Sequence, residues 1–400
     1  MDQTDYQRIE KEEEVFYSED QQQLGMTISE VALETSCSPD NINKTTISIG
    51  HHVFLRRLAK ATLLLFGGIA VLSLILHNSN STFRFLPTSS FYRSGSPSTE
   101  NYCSWVLDRV LRNASMEDGT VILTTLNEAW AEPNSMFDIF LESFRIGNGT
   151  QRLLNHLVII CMDQKAYARC LALNFHCYHP DTKGVNYTSE AVFLTNTYLE
   201  MMWARIDLFA SILEMGYNFV FTDTDIMWLR DPFQHFYSEA DFQIACDQFY
   251  GNSYDVNNRP NGGFNFVKSN NRTIQFYKFW YTSREAYPGK HDQDVLNMIK
   301  GDPFITNIGL KMRFLDTAYF GGFCEPSRDL NRVCTMHANC CIGLENKVHD
   351  LRILLDDWKK YMSLLPNMTA SPPSSWSVPQ ACRASFNHLP KNKTPGLGNR

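Results

Sequence analysis

Residues 219–233 read FVFTDTDIMWLRDPF, and within them Asp223 and Asp225 are the pair best suited to chemistry. An apolar run ends there in Asp-Thr-Asp. If the run is a strand and stays extended, alternate side chains point one way and both carboxylates face the same side. Mg2+ and Mn2+ are hard cations, typically held by one or two carboxylates together with substrate phosphates. Such a pair at the carboxyl end of a strand is therefore a candidate seat for a metal–diphosphate. The competing reading is a plain turn, because Asp is common after strands and at helix caps. Arg205 stands just upstream in a helical stretch. It would offer a diphosphate a fixed, always-charged donor fork, or else pair on the surface with Glu200 or Asp207. Asn261-Gly262-Gly263-Phe264 reads as a substrate-facing loop, since paired glycines let backbone approach a ligand closely; an ordinary loop entering a strand is the alternative.

These residues need elements to hold them. Thr120–Leu126, Leu157–Met162 and Tyr217–Thr222 read as buried strands, and Asp241–Cys246 and Phe264–Val267 as further ones. Helical patterns cover Asn134–Arg145, Gln164–Leu173, Tyr198–Met215, Asn271–Tyr287 and Gln293–Ile299. The strongest is Tyr198–Met215, where Leu199, Met202, Ile206, Phe209 and Leu213 recur at helical spacing and Gly216 suits the cap. Near-continuous apolar strands alternating with helices predict an α/β fold with a mostly parallel sheet flanked by helices. Ligands of such sheets bind at the carboxyl ends of the strands. No internal repeat is visible.

The chain has 400 residues, 44% of them hydrophobic and 13% aromatic, which suffices for a large core and excludes wholesale disorder. Its net charge of −7 shows no basic footprint and argues against a nucleic-acid partner. Residues 1–50 hold eleven acidic and three basic residues, so the acidity belongs to the tail and the rest is near neutral. Residues 61–76, ATLLLFGGIAVLSLIL, carry no charge and follow a basic cluster ending in Arg56, Arg57 and Lys60. Sixteen helical residues would span roughly 24 Å, slightly less than a typical bilayer core. The flanking basic residues predict a single-pass type II signal anchor with the tail in the cytosol and the body in a lumen. The expected organisation is an acidic disordered tail over 1–55, a transmembrane anchor with its basic flank over 56–77, a stem over 78–100, the catalytic body over 101–385 and a disordered tail over 386–400. Cys324, Cys334, Cys340, Cys341 and Cys382 crowd the C-terminal part, as lumenal disulfides would allow. Cys161, within an apolar run, reads as a free core thiol. Sequons at Asn80, Asn113, Asn148, Asn186, Asn271, Asn367 and Asn392 support the lumenal reading.

Long runs of the body resemble the nucleotide-diphospho-sugar transferases of glycosyltransferase family 77, plant Golgi enzymes of cell-wall glycan and glycoprotein synthesis. The carriers are ILTTLNEAWAEPNS (122–135), IFLESFRIGNGT (139–150), EMGYNFVFTDTDIMW (214–228), NRPNGGFNFVKSNN (258–271), HDQDVLN (291–297) and TAYFGGFCEPSRDLNRVCTMHANCCIG (317–343). The resemblance implies a GT-A fold, Mn2+ or Mg2+ on the Asp-x-Asp motif, and transfer with retention of configuration. It implies that Asp225 is the direct ligand and that Asp223 contacts ribose or metal. His337, Gly343 and Lys347 are similar to a C-terminal metal and phosphate element of retaining enzymes, with looser spacing; a core histidine is the alternative for His337, and His349 the fallback ligand. It further implies that Thr124 and Thr125 meet the base and ribose, although Thr is also simply a good strand former. Asp292, Gln293 and Asp294 would lie under the donor sugar, stabilising an oxocarbenium-like transition state or binding hydroxyls; an Asp there is otherwise a helix cap. Of Trp130, Trp203, Trp228 and Trp280, the third is best placed to stack on a glycan, the others reading as core.

The whole implied by the resemblance is a Golgi membrane transferase moving a sugar, by family analogy a pentose such as arabinose or xylose, from a UDP-sugar to a glycan or glycoprotein. Homo- and hetero-oligomers are both left open. The rival readings are an inactive lumenal carbohydrate-binding scaffold and a lumenal hydrolase using two carboxylates.

Overall fold

A computed structural model of the chain describes residues 37, 99–181, 188, 195–364 and 376–387. The expected membrane anchor, nearly all of the N-terminal tail, most of the stem and residues 388–400 lie outside the described residues. Among those described, no helix is long and apolar enough to cross a membrane. The chain divides into two units, Met1–Val106 and Leu107–Arg400. The second holds every strand described below.

In chain order the elements are α1 (Thr99–Ala114), β1 (Thr120–Leu126), α2 (Glu128–Ala131), α3 (Met136–Ile146), β2 (Leu157–Cys161), α4 (Gln164–Ala172), β3 (His176–Tyr178), α5 (Asn196–Glu214) and β4 (Asn218–Thr222). There follow β5 (Ile226–Trp228), β6 (Phe242–Gln248), β7 (Arg259–Val267), α6 (Asn271–Ser283), α7 (Asp292–Ile299), α8 (Pro303–Asn307), β8 (Met312–Phe314), β9 (Phe320–Gly322), β10 (Thr335–His337), α9 (Leu344–Leu364) and α10 (Ala381–Asn387). Seven strands form one sheet in the order β3-β2-β1-β4-β7-β6-β8. Its pairings are parallel except β4–β7 and β6–β7. The sheet is thus mixed, with six strands running one way and β7 alone against them. The α/β class is the one the sequence pattern predicts. The β2 strand is buried at all five residues, as a strand covered on both faces should be. Helix α5 buries Met202, Ile206, Phe209 and Leu213. Phe209 meets Phe219 and Phe221 of β4 with ring centroids 4.9 Å apart in both pairs. Gly216 (φ +93°) then turns the chain from α5 into β4, in a region where only glycine is unstrained.

A second sheet, β5-β10-β9, has three short strands. Neither it nor the 21-residue helix α9 is anticipated by the strand and helix patterns of the sequence. Three-residue strands carry too little periodicity to register, and the apolar positions of α9 are diluted by charge. Three disulfides close the structure: Cys170–Cys177, Cys324–Cys340 and Cys341–Cys382. The crowded C-terminal cysteines do pair, except Cys334, which is free, as is Cys161. Residues 386 and 387, expected in a disordered tail, complete α10.

Candidate metal and nucleotide site

The Asp-Thr-Asp motif is a turn as well as the seat of a cluster. Strand β4 stops at Thr222, and the Ile226 N–H donates to the Asp223 carbonyl oxygen (3.1 Å), closing a turn over residues 223–226. The extended geometry assumed from alternation is therefore absent, and it is the turn that sets the two carboxylates. The chain then enters β5, which pairs antiparallel with β10 so that Ile226 faces His337. The Ala338 N–H donates to the Asp225 carbonyl oxygen (3.0 Å). This register brings His337 to the motif from far downstream in the chain, and the short second sheet makes that delivery.

Asp223, Asp225 and His337 each offer one ligand atom, and these atoms lie within 4.8 Å of one another. Two carboxylate oxygens and one imidazole nitrogen suit Mn2+ or Mg2+, hard ions that complete their shell with phosphate and water. The surroundings leave little space for anything else. A side chain at Gly263 would put its Cβ 2.6 Å from Asp223 Oδ2 and 2.7 Å from His337 Cε1. His349, the fallback ligand, instead lies on α9 with its side chain 61% exposed, bonded to its neighbour Asp350.

Charge is distributed unevenly across the cluster. Burial works against the Asp225 carboxylate, but Lys347 Nζ at 2.6 Å and His337 Nε2 at 3.2 Å hold it well below the usual carboxylate range. Burial raises Asp223 despite the guanidinium of Arg205, and the neighbouring Asp225 charge adds to the rise. For His337, burial opposes the charged ring, but Asp225 outweighs it and the net shift is upward. Lys347 also lies over the Trp130 ring, 5.3 Å from its centroid. The looser spacing of His337, Gly343 and Lys347 is accommodated because the first turn of α9 brings Lys347 back over the motif.

Arg205 makes neither of its surface pairs. Its side chain is 6% exposed and bridges two carboxylates, Asp223 Oδ1 at 3.1 Å and Asp292 Oδ2 at 2.6 Å, across the Phe221 ring. Asp292 is the first residue of α7, whose cap is His291 rather than an Asp. Asp294 points back toward His291, 3.6 Å from Nε2. Gln293 Oε1 accepts the Gly262 N–H at 2.9 Å. Gly262 and Gly263 lie inside β7, not in a loop: the Asp223 N–H donates to the Gly263 carbonyl oxygen (2.7 Å), prolonging the β4–β7 ladder. The sequence pattern starts this strand late because two glycines and an Asn carry no strand signal. Thr124 is fully buried, its hydroxyl without a partner among the described residues. Thr125 instead borders a cavity of about 720 Å³ that continues along Leu199, Trp203, Arg205 and Tyr281.

Trp228 does not stack on a ligand. It is fully buried, lies 4.6 Å from Phe144 by ring centroid, and donates from Nε1 to Thr222 Oγ1. Trp130, read from sequence as core, is the tryptophan beside the charged cluster. Asp247 is a site residue that the sequence pattern does not reveal. It accepts the side-chain amides of Asn261, Gln293 and Asn339. Its only signal is its position at a strand end, and the pattern stops that strand one residue earlier.

Three side chains able to hold a divalent cation, an arginine bridge and a glycine-lined strand edge thus gather at the carboxyl end of β4. The family model described as nucleotide-diphospho-sugar transferase matches residues 152–351, and the chain belongs to that family. The uncharacterized protein At4g15970 of Arabidopsis thaliana is 53% identical over 277 residues, covering 69% of this chain and 73% of that protein. A second Arabidopsis thaliana protein, At1g28695, is 40% identical over 279 residues, covering 68% and 82%. The UDP-galactose:fucoside alpha-3-galactosyltransferase of Dictyostelium discoideum matches at 40% over 72 residues, 16% of this chain and 10% of that protein. Among solved structures, mouse xyloside xylosyltransferase 1 in its apo form is 15% identical with a TM-score of 0.35, covering 55% of this chain and 98% of that one.

Proposed function

We propose that this transferase uses Mn2+ or Mg2+ and moves a sugar from a UDP-sugar to a glycan or glycoprotein, with retention of configuration, as a member of glycosyltransferase family 77. The observation that carries the reading is the convergence of Asp223, Asp225 and His337 with Arg205 and Lys347 around them. When bound, the metal neutralises charge on the departing diphosphate. Lys347 is poised to exchange its contact with Asp225 for a phosphate oxygen. Arg205 holds Asp223 and Asp292 at a fixed separation, so the metal edge and the sugar edge of the site are set together. Thr125, which lines the cavity, suits the nucleoside. Gln293 and the Gly262–Gly263 backbone form the sugar side. A pentose donor, a Golgi membrane anchor of type II and a lumenal body extend the same reading. The uncharged run 61–76 and the sequons support the anchor and its orientation, and the three disulfides agree with a lumenal body.

Calorimetry with UDP, with and without Mn2+, tests this directly. Metal-dependent UDP binding that Asp225→Asn abolishes is the expected result. UDP binding that ignores both Mn2+ and the substitution would leave a scaffold in place of an enzyme.

A further inference from the structure

We infer that Asp247 is the positioning residue for the sugar side of the site, because its carboxylate dictates the orientation of three carboxamides at once. Asp247 lies near the end of β6. Its Oδ1 accepts Asn261 Nδ2 and Asn339 Nδ2, both at 2.8 Å, and its Oδ2 accepts Gln293 Nε2 at 2.9 Å. The other end of each carboxamide is committed as well. Asn261 Oδ1 accepts the Gly263 N–H (2.9 Å), Gln293 Oε1 the Gly262 N–H (2.9 Å) and Asn339 Oδ1 the Cys324 N–H (3.0 Å). A backbone N–H only donates and an ionised carboxylate only accepts, so no carboxamide can flip without breaking two bonds. The orientation of Gln293 is therefore fixed by its partners and not by a choice of assignment.

Asp247 joins four segments: β6, the start of β7, the first turn of α7 and the residue pair after β10 that the Cys324–Cys340 disulfide holds. Among the described residues no cation forms a salt bridge with it. Burial pushes its carboxyl upward, and the three amides together with His337 oppose that rise. The carboxylate thus serves orientation. What Gln293 has left over, one N–H and one lone pair, is what it offers to a bound sugar, and Asp247 decides which way they point. This rests on the reading of the site as a nucleotide-sugar site.

The network contains its own test. In Asp247→Asn the retained oxygen can still serve Asn261 and Asn339, but the new amide confronts the Gln293 amide, donor against donor. Gln293→Glu sets two carboxylates against each other. When the two substitutions are combined, the new amide at position 247 donates to the new carboxylate at position 293, whose second oxygen still accepts the Gly262 N–H. In the full chain, each single substitution should lower Tm by a few degrees, and the double variant should recover most of that loss, a non-additive cycle. Asp247→Asn should keep its UDP affinity in the presence of Mn2+ within about threefold, while kcat for UDP release from a panel of UDP-sugars falls about tenfold or more. Additive Tm losses overturn the inference. So does Asp247→Asn with wild-type kcat, or with UDP and Mn2+ binding lost. If the wild type itself releases no UDP, the reaction reading fails while a coupled Tm cycle still upholds the network.

Discussion

Arg205 shows how one side chain ties the site to the stability of the molecule. It is buried between Asp223 and Asp292, and Asp292 is 3% exposed. Arg205→Met would preserve bulk over Phe221 but leave Asp292 a buried charge without its guanidinium, and breaking such a pair costs about 3–5 kcal/mol. The denaturant midpoint should fall accordingly, whereas an unchanged midpoint would show the bridge to be dispensable. Asp241 supplies a residue-scale pH effect away from the metal cluster. Burial opposes its charge, yet bonds from the Arg272 guanidinium and the Lys311 N–H hold it below the ordinary carboxylate range. A carboxylate depressed in the folded state stabilises above its unfolded pKa, about 3.9, and that contribution is lost as pH falls through the folded value. Asp241→Asn should therefore be less stable than wild type at neutral pH, with the gap in Tm closing on acidification. A gap that widens toward low pH would contradict the assignment.

At the level of elements, β7 is the decisive one. Adding a methyl group at Gly263 drives it against Asp223, His337 and Asn261 at 2.6–2.9 Å, whereas at Gly262 the nearest atoms stand at 3.7–3.9 Å. Gly263→Ala should weaken UDP binding with Mn2+ by about tenfold or more, and Gly262→Ala should bind with nearly wild-type affinity. Equal effects from the two substitutions would show that the close approach is unimportant. The sequence made β1, β2, β4 and α5 legible because their apolar periodicities are long and unbroken. It made Asp223 and Asp225 legible because they follow such a run. It hid the start of β7, since Asn261, Gly262 and Gly263 carry no strand signal, and it hid β9, β10 and α9, which depend on long-range pairing and packing. Trp228 misled for a related reason: adjacency to the motif in sequence says nothing of the face on which a side chain emerges, and the ring turned inward onto Phe144. Asp247 had no local mark, because its meaning comes from three amides contributed by three other segments.

At the scale of the whole molecule, covalent closure governs the C-terminal part. Cys341–Cys382 joins the approach to α9 with α10 across 41 positions. Closing a loop of that length stabilises by about 4 kcal/mol in the chain-entropy account. A Cys341→Ser/Cys382→Ser variant should melt earlier than wild type in the oxidised state and match it under reductant. Asn148, exposed at the end of α3, is expected to carry a glycosidase-sensitive glycan when the full chain is made in plant cells; a chain left unmodified and open to cytosolic protease would reverse the proposed topology. The lone reversed strand of the large sheet has a consequence for divergence. Because β7 runs against the rest of the sheet, its opening residues lie at the same edge as the carboxyl end of β4, upstream of Phe264, Phe266 and Val267, which it contributes to the core. Of residues 261–263 only Gly262 has room for a methyl group, with nothing closer than 3.7 Å, so a change there can alter the lining of the site while the hydrophobic architecture behind it is inherited intact, which gives relatives a narrow, structurally quiet place in which to differ.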